Sequence, residues 1–394
     1  MADRWRPVWA DIDLDAMRHN ASLVSRVAGP AALCAVVKAD GYGHGGLPAA
    51  RAALDGGASW LAVALVEEGV LLREAGIDAP ILLLSEPPVD AMAEAVARRL
   101  VPTVYTRGGL EELDRVAEAA GSGPIDVHLK VDTGMHRVGA DATDVLCLSE
   151  VIAGSHALRL GALWTHLAVA DGAGEIDQEF TRVQLDRFDA ALAALAAAGH
   201  VPPMTHVANS AGTIAWPAAR RDLVRCGIAL YGLAPTRALA DAITARTGGE
   251  RLRPVLSLRT RVTFVRDLAS GERLSYGRRR ALPERSTVAT APIGYADGVP
   301  RRLFDVGGEV LVGGVRRPLA GVVTMDQIVV DCGPVGSATV EVGDEVVLLG
   351  RQGSEEITAT EWADLLGTIN YEVLCGIGPR VPRLTHGGGT HPPR

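Results

Sequence analysis

Eight short apolar runs, each followed by a longer segment of helical period, occupy the first 235 residues of the chain. The runs are residues 33–38, 60–65, 81–85, 102–106, 125–131, 158–165, 204–208 and 223–228. Between them lie segments of helical period such as 66–75, 91–100, 110–120 and 175–198, each near a Gly, Pro, Asp or Ser that can start or stop a helix. Strands separated by helices pair in parallel, because the helix carries the chain back to the end of the sheet from which it left. Eight such units in about 200 residues have the count and size of a closed (β/α)8 barrel, and an open doubly wound sheet is the alternative. After Thr236 the texture changes. A helical or linker stretch runs to Gly249, and β-branched alternation follows at 255–265, 287–293, 310–312, 327–331 and 345–349, with Gly-Gly turn signals at 307 and 313 and one short helix at 359–366. The expected fold is α/β: an N-terminal (β/α)8 barrel over residues 1–240, whose first ten or so residues can join the second domain, and a C-terminal mostly-β domain over 241–385. The Gly, His, Thr and Pro of residues 386–394 predict a disordered tail.

Charge and cysteine usage exclude several functions. The formal net charge is -8, with Lys and Arg dispersed among Asp and Glu, so no basic face offers itself to nucleic acid. The five cysteines, Cys34, Cys147, Cys226, Cys332 and Cys375, are scattered and form no C-x-x-C pair, which argues against a disulfide framework or a zinc site. The histidines are equally dispersed, with His128 and His136 eight apart and no H-E-x-x-H, so no metal is expected. No apolar run has the length of a membrane span, and no apolar segment follows the opening Met-Ala-Asp-Arg-Trp-Arg, so a cytoplasmic location is expected.

The most informative stretch runs from Ala35 through Val36-Val37-Lys38-Ala39-Asp40-Gly41-Tyr42-Gly43-His44-Gly45 to Gly46, a strand that ends in a lysine and enters a glycine loop. Gly41, Gly43 and Gly46 satisfy the G-x-G-x-x-G pattern of dinucleotide sites, but the acid that such sites want about twenty residues on, at the end of the second strand, would be Glu67, which more simply begins a helix. A lysine at the C-terminal end of a barrel strand points into the mouth where such enzymes work, and a partly desolvated amine there is a Schiff-base former. The other strand ends supply Lys130, Arg137, His166, His206, Asn209, Ser210 and Arg225. Ser210 and the backbone of Gly227 and Ile228 fall at the seventh and eighth strand ends, the common phosphate site of this fold. A phosphate-bearing cofactor opposite a lysine is the economical reading.

These segments resemble the alanine racemase family, pyridoxal-phosphate (PLP) enzymes of fold type III, and the resemblance spans nearly the whole chain. Residues 35–45 resemble the family's cofactor-lysine segment, and Leu129-Lys130-Val131-Asp132-Thr133-Gly134-Met135-His136-Arg137 resembles the segment bearing its carboxylate-binding arginine. Further matches are Ala208-Asn209-Ser210, Val224-Arg225-Cys226-Gly227-Ile228, Leu274-Ser275-Tyr276-Gly277, residues 292–298, Met325-Asp326-Gln327 and Asn370-Tyr371-Glu372-Val373. The resemblance implies an enzyme that interconverts L- and D-alanine for cell-wall peptidoglycan and works as a homodimer with shared sites. Two bases on opposite faces of a planar carbanion are implied, Lys38 on one face and Tyr276 from the partner subunit on the other. The same resemblance gives Tyr42, Ser210, Gly227, Ile228 and Tyr371 to the phosphate, and His166 and Asn209 to the cofactor's surroundings. Arg225, linked to His206, goes to the pyridine nitrogen. Arg137, Met325 and Tyr295 fall to the substrate, with Lys130 and Asp326 in support. An arginine at the pyridine nitrogen cannot give up its proton, so that nitrogen stays unprotonated and the electron sink is weakened.

Departures from the family pattern are His136, where many relatives have glycine, and the run Arg278-Arg279-Arg280 after Gly277. A racemase of serine or another small amino acid, a decarboxylase, a noncatalytic PLP carrier and an NAD oxidoreductase are the competing readings. Arg225 and Tyr276 speak against the decarboxylase, and the second domain against the carrier.

Overall fold

The structure is a computed structural model that describes residues 5–121, 123–337 and 339–387. The chain divides into two compact units, one comprising Ala16–Gly41 and Gly45–Arg253, the other Met1–Asp15, Tyr42–His44 and Pro254–Arg394.

The first strand, β1 (Val8–Asp13), belongs to the second unit. The first unit holds β2 (Ala32–Val36), β3 (Trp60–Val63), β4 (Ile81–Leu83), β5 (Thr103–Val104), β6 (Ile125–Lys130), β7 (Leu158–Trp164), β8 (Thr205–His206) and β9 (Leu223–Cys226). Each lies within one of the eight expected runs or overlaps it. They pair in parallel as two four-stranded sheets, β4-β3-β2-β9 and β5-β6-β7-β8. Two seams join the sheets. A parallel bridge links Leu82 to Val101 ahead of β5, and the backbone N–H groups of Asp222 and Arg225 donate to the carbonyls of Thr205 and Ala208 across β8 and β9. The ring therefore closes as a barrel. Its strands are short and apolar because both faces are covered, the inner by barrel contents and the outer by helices.

The helix Arg107–Ala120 shows how the outer layer is written in sequence. Thr106 caps it by accepting from Gly109 N, Leu110, Leu113 and Ala117 form the buried stripe, and left-handed Gly121 ends it. The division between units falls at Arg253/Pro254, later than the expected residue 240. The helix Arg237–Arg246 accounts for the difference: its buried Leu239 and Ile243 are an apolar face, and it packs on helix Ser210–Ala215 of the barrel.

The second unit adds β10 (Leu256–Arg261), β11 (Phe264–Leu268), β12 (Ser286–Ala291), β13 (Glu309–Val312), β14 (Val315–Pro318), β15 (Ile328–Pro334), β16 (Glu345–Gln352), β17 (Glu355–Ile357) and β18 (Arg383–His386). The larger sheet runs β14-β13-β16-β10-β1-β18 with β17 on β16, and β11-β12-β15 form a second sheet. β1 pairs antiparallel with β10 and parallel with β18, which is why the first residues join this unit. The helix Ala359–Leu366 has the expected bounds. Strands β14, β17 and β18 and the helix Asn370–Cys375 escape the sequence reading, because they are short and carry charged or polar side chains without an apolar period. β18 also takes His386 out of the expected tail, and residues 388–394 of that tail lie outside the described residues.

Candidate active site

The lysine expected at the first strand end of the barrel stands two residues beyond β2, and the chain after it does something costly. Ala39, Asp40 and Gly41 have φ of 53°, 50° and 61°, and Tyr42 and Gly43 continue in the left-handed region at 52° and 79°. A left-handed turn built on L-residues costs about 1–2 kcal/mol for each non-glycine member, so the surroundings must hold it. Two carboxylates do so. Glu68 accepts from Ala39 N at 2.6 Å through one oxygen and from Ala64 N and Leu65 N through the other, and Asp40 accepts from Gly46 N at 2.6 Å. Glu68 thus ties the backbone beside Lys38 to the end of β3. In the second unit, a Cβ at Gly43 would stand 2.8 Å from the carbonyl oxygen of Leu374, so only glycine fits there.

Across the barrel, register places Lys130, Trp164 and His206 level on β6, β7 and β8. The Lys130 ammonium and the Arg225 guanidinium both lie over the Trp164 ring, at 4.3 and 4.5 Å from its centroid, and His206 stacks on the same ring. Arg225, 2% exposed, is held at every turn. It donates to Thr165 O at 2.9 Å and Val207 O at 3.2 Å, and its two terminal nitrogens approach His206 Nδ1 at 2.8 Å and His166 Nδ1 at 3.2 Å. His206 Nε2 in turn lies 3.0 Å from His128 Nδ1.

The electrostatics of this layer are one-sided. Burial, reinforced by Arg225, Arg137, Lys130 and Lys38, holds His166 well below the ordinary imidazole range, so it is neutral. His206 is held down by burial and by Arg225, and His128 falls to about 3 chiefly through burial. The Lys130 amine drops to about 7, from burial first and then from Arg225, Arg137 and Lys38, against the opposing charge of Asp132. Arg225 is lowered by burial to about 10 and stays a cation at neutral pH. Asp132 Oδ1 accepts from the backbone N–H groups of Gly134, Met135 and His136, which shapes the loop that carries Arg137. Lys130, Asp132, Arg137 and His166 line one small cavity. His136, where many relatives have glycine, stands in the left-handed region at φ 53°, a conformation that favours glycine, and its exposed side chain meets Asp132 at 3.4 Å.

At the seventh and eighth barrel strands, Asn209 caps helix Ser210–Ala215 by accepting from Gly212 N, and buried Ser210 Oγ accepts from Gly227 N at 3.1 Å. Ile228 is fully buried beside them in sequence. The Ser210–Gly227 bond thus joins the segments that follow β8 and β9, with Ile228 next in the chain.

The remaining expected residues lie in the second unit. Tyr42 and Tyr371 face each other with ring centroids 6.1 Å apart. Tyr276 opens a short 3-10 turn and is 72% exposed, while Met325 and Tyr295 are 52% and 42% exposed. Backbone bonds from Tyr295 N to Thr324 O and from Ala296 N to Met325 O hold Tyr295 beside Met325, where a Cβ at Gly294 would collide with Met325 O at 2.4 Å. Asp326 accepts from Arg380 at 2.7 Å. Sequence reasoning passed over Glu68, His128, Trp164 and Gln184. Gln184 donates to His166 O and Thr133 Oγ1 and accepts from Ala168 N, steadying the His166 loop. These residues carry no motif of their own; register and backbone geometry alone bring them in.

Two family models match the chain, "Alanine racemase, N-terminal domain" over residues 12–235 and "Alanine racemase, C-terminal domain" over 255–385. Alanine racemase of Symbiobacterium thermophilum is 47% identical over 389 residues, 98% of this chain and 99% of its own. That of Frankia casuarinae is 42% identical over 95% of both chains. Among solved structures, alanine racemase from Bacillus anthracis with bound L-Ala-P superposes with a TM-score of 0.89 at 36% identity, covering 99% of this chain and 97% of that one. Alanine racemase from Streptomyces coelicolor gives 0.89 at 39% identity, over 97% and 98%.

Proposed function

The chain belongs to the alanine racemase family, and on that premise we propose that Lys38 and Tyr276 of a second copy are the two bases that interconvert L- and D-alanine. Enzymes of this family are pyridoxal-phosphate-dependent isomerases. The donor set of the barrel fits that cofactor: an amine at a strand end for its aldehyde, Ser210 and the backbone of Gly227 and Ile228 at the strand ends for its phosphate, and a guanidinium that can only donate for its ring nitrogen. Lys38, Lys130, Arg137 and Arg225 give the mouth a cationic balance suited to a phosphate and a substrate carboxylate. When bound, pyridoxal phosphate supplies the electron sink that acidifies the α-proton.

The rest is work for side chains. Lys38 takes or returns the α-proton on one face, and Tyr276 of the partner subunit does so on the other. Arg137 holds the substrate carboxylate, Lys130 orients Arg137, and Tyr42 with Tyr371 closes on the phosphate. Met325 and Tyr295 of the partner subunit narrow the substrate space, and Asp326 steadies Met325 through its Arg380 pair. The exposure of Tyr276, Met325 and Tyr295 supports a homodimer in which that surface serves a neighbour's barrel. The product D-alanine would supply peptidoglycan. The observation that carries this reading is the donor arrangement of Arg225, which faces two neutral histidines and presents no carboxylate to a ring nitrogen. Purified protein loaded with pyridoxal phosphate should convert L-alanine to a racemic mixture; faster turnover of serine than alanine would replace alanine as the substrate.

Two predictions follow from local geometry. Glu68→Gln keeps the helix cap but loses one of the acceptors that clamp the lysine turn, so kcat should fall up to about 10²-fold, the cost of misplacing a reacting group by an ångström, with KM little changed. Unaltered kcat would mean that the turn holds itself. Lys130, with its amine near 7, is protonated at pH 6 and a neutral nucleophile at pH 8. Carbon dioxide should therefore add to it, with loss of a proton, increasingly through that interval. Native mass spectrometry in bicarbonate reads the adduct, and its absence at pH 8.5 would contradict the assignment.

A further inference from the structure

Three histidines meet Arg225 directly or in series, and the hydrogen-bond directions among them are fixed by one fact. A guanidinium has donors only. His206 Nδ1, 2.8 Å from Arg225, must therefore be bare, and the proton of the neutral ring sits on Nε2. That N–H points at His128 Nδ1 at 3.0 Å, which must accept, so the proton of His128 is on its own Nε2. The same reasoning gives His166 an Nε2 proton, because its Nδ1 also faces Arg225. The chain of donors runs outward from Arg225 through His206 and ends on His128.

The strand pairing beside His128 is irregular. Pairing of β6 with β7 slips between Val127 and His128: Val127 aligns with Leu160 but His128 aligns with Ala162. The skipped residue is Gly161, where a Cβ would come within 2.9 Å of the Asp126 side chain. Such a bulge re-aims the side chains that follow it on β7, Trp164 among them, so that Ala162 rather than Gly161 stands level with His128. His128 lies 1% exposed between the rings of Trp60 and His206, at 5.5 and 5.1 Å between centroids.

We infer that His128 is a positioning residue for the reaction: as the terminal acceptor it locks the tautomer of His206, which in turn holds the guanidinium of Arg225 aimed at the ring nitrogen of the cofactor. The inference rests on the proposed role of Arg225, but its first observable does not. Without an acceptor at 128, His206 either buries an unpaired N–H or moves its proton to Nδ1, where it faces the Arg225 donors. In both cases the Arg225 contact loosens while the cofactor lysine and phosphate contacts stay in place.

The test uses the holoenzyme labelled with 15N-histidine. His206 and His128 should each show a bare Nδ1 and a protonated Nε2 across pH 6 to 9; a protonated Nδ1 on His206 overturns the inference, whether or not the enzyme racemises alanine. His128→Leu and His128→Gln then separate aiming from packing, since glutamine offers an acceptor and leucine none. His128→Leu should lower kcat about 10-fold with KM nearly constant and shift the visible absorbance of the bound cofactor, and His128→Gln should restore most of both. Equal kcat and equal spectra for the two variants would make His128 a packing residue. Loss of alanine turnover in wild-type protein with the expected tautomers would instead count against the proposed function.

Discussion

Tyr276→Phe should lower racemisation by about 10²–10⁴-fold, the span of a positioned general acid–base, while α-proton exchange survives in one alanine enantiomer and is lost in the other. The asymmetry is the informative part. A tyrosine that merely lined the site would slow both exchanges together, whereas a base that serves one face leaves the Lys38 face working. The sharing of sites has its own outcome. Lys38→Ala and Tyr276→Phe copies, each nearly inactive alone, should recover about a quarter of wild-type activity when unfolded and refolded together, because half of the dimers are mixed and each mixed dimer rebuilds one of its two sites. No recovery would mean that Lys38 and Tyr276 of one chain act together.

The second large effect concerns Arg225. Arg225→Glu places a carboxylate where the guanidinium stood and allows the ring nitrogen of the bound cofactor to hold a proton, which strengthens the electron sink. A long-wavelength absorbance band should appear with alanine, racemisation should fall, and transamination should become measurable. The expected fall is large, since the buried carboxylate also strands the acceptors His206 Nδ1, Thr165 O and Val207 O without their donor. An unchanged spectrum would mean that Arg225 does not control the ring nitrogen.

The barrel was legible because its strands are buried on both faces and appear as eight apolar runs, each punctuated before a helix. The edges of the β unit were not. β14 reads Val-Arg-Arg-Pro and β18 reads Arg-Leu-Thr-His, and such segments become strands only because neighbours offer backbone partners. In the site, Lys38, Lys130, Arg225 and Ser210 stood out by their place at strand ends. Glu68 looked like the first turn of a helix, which it is; its second contact, with Ala39, depends on the left-handed turn that local propensity disfavours. His128 looked like one more scattered histidine, because a one-residue slip in strand pairing is invisible in apolar periodicity.

The most direct measurement incubates the purified protein with pyridoxal phosphate and L-alanine in deuterated water, following the α-proton by NMR and the chirality of the recovered alanine together. Two bases on opposite faces predict D-alanine that carries deuterium at Cα, formed until both enantiomers are equal. Deuterated L-alanine with no D-alanine would contradict that account, since it requires one working base and a second face that never delivers a proton.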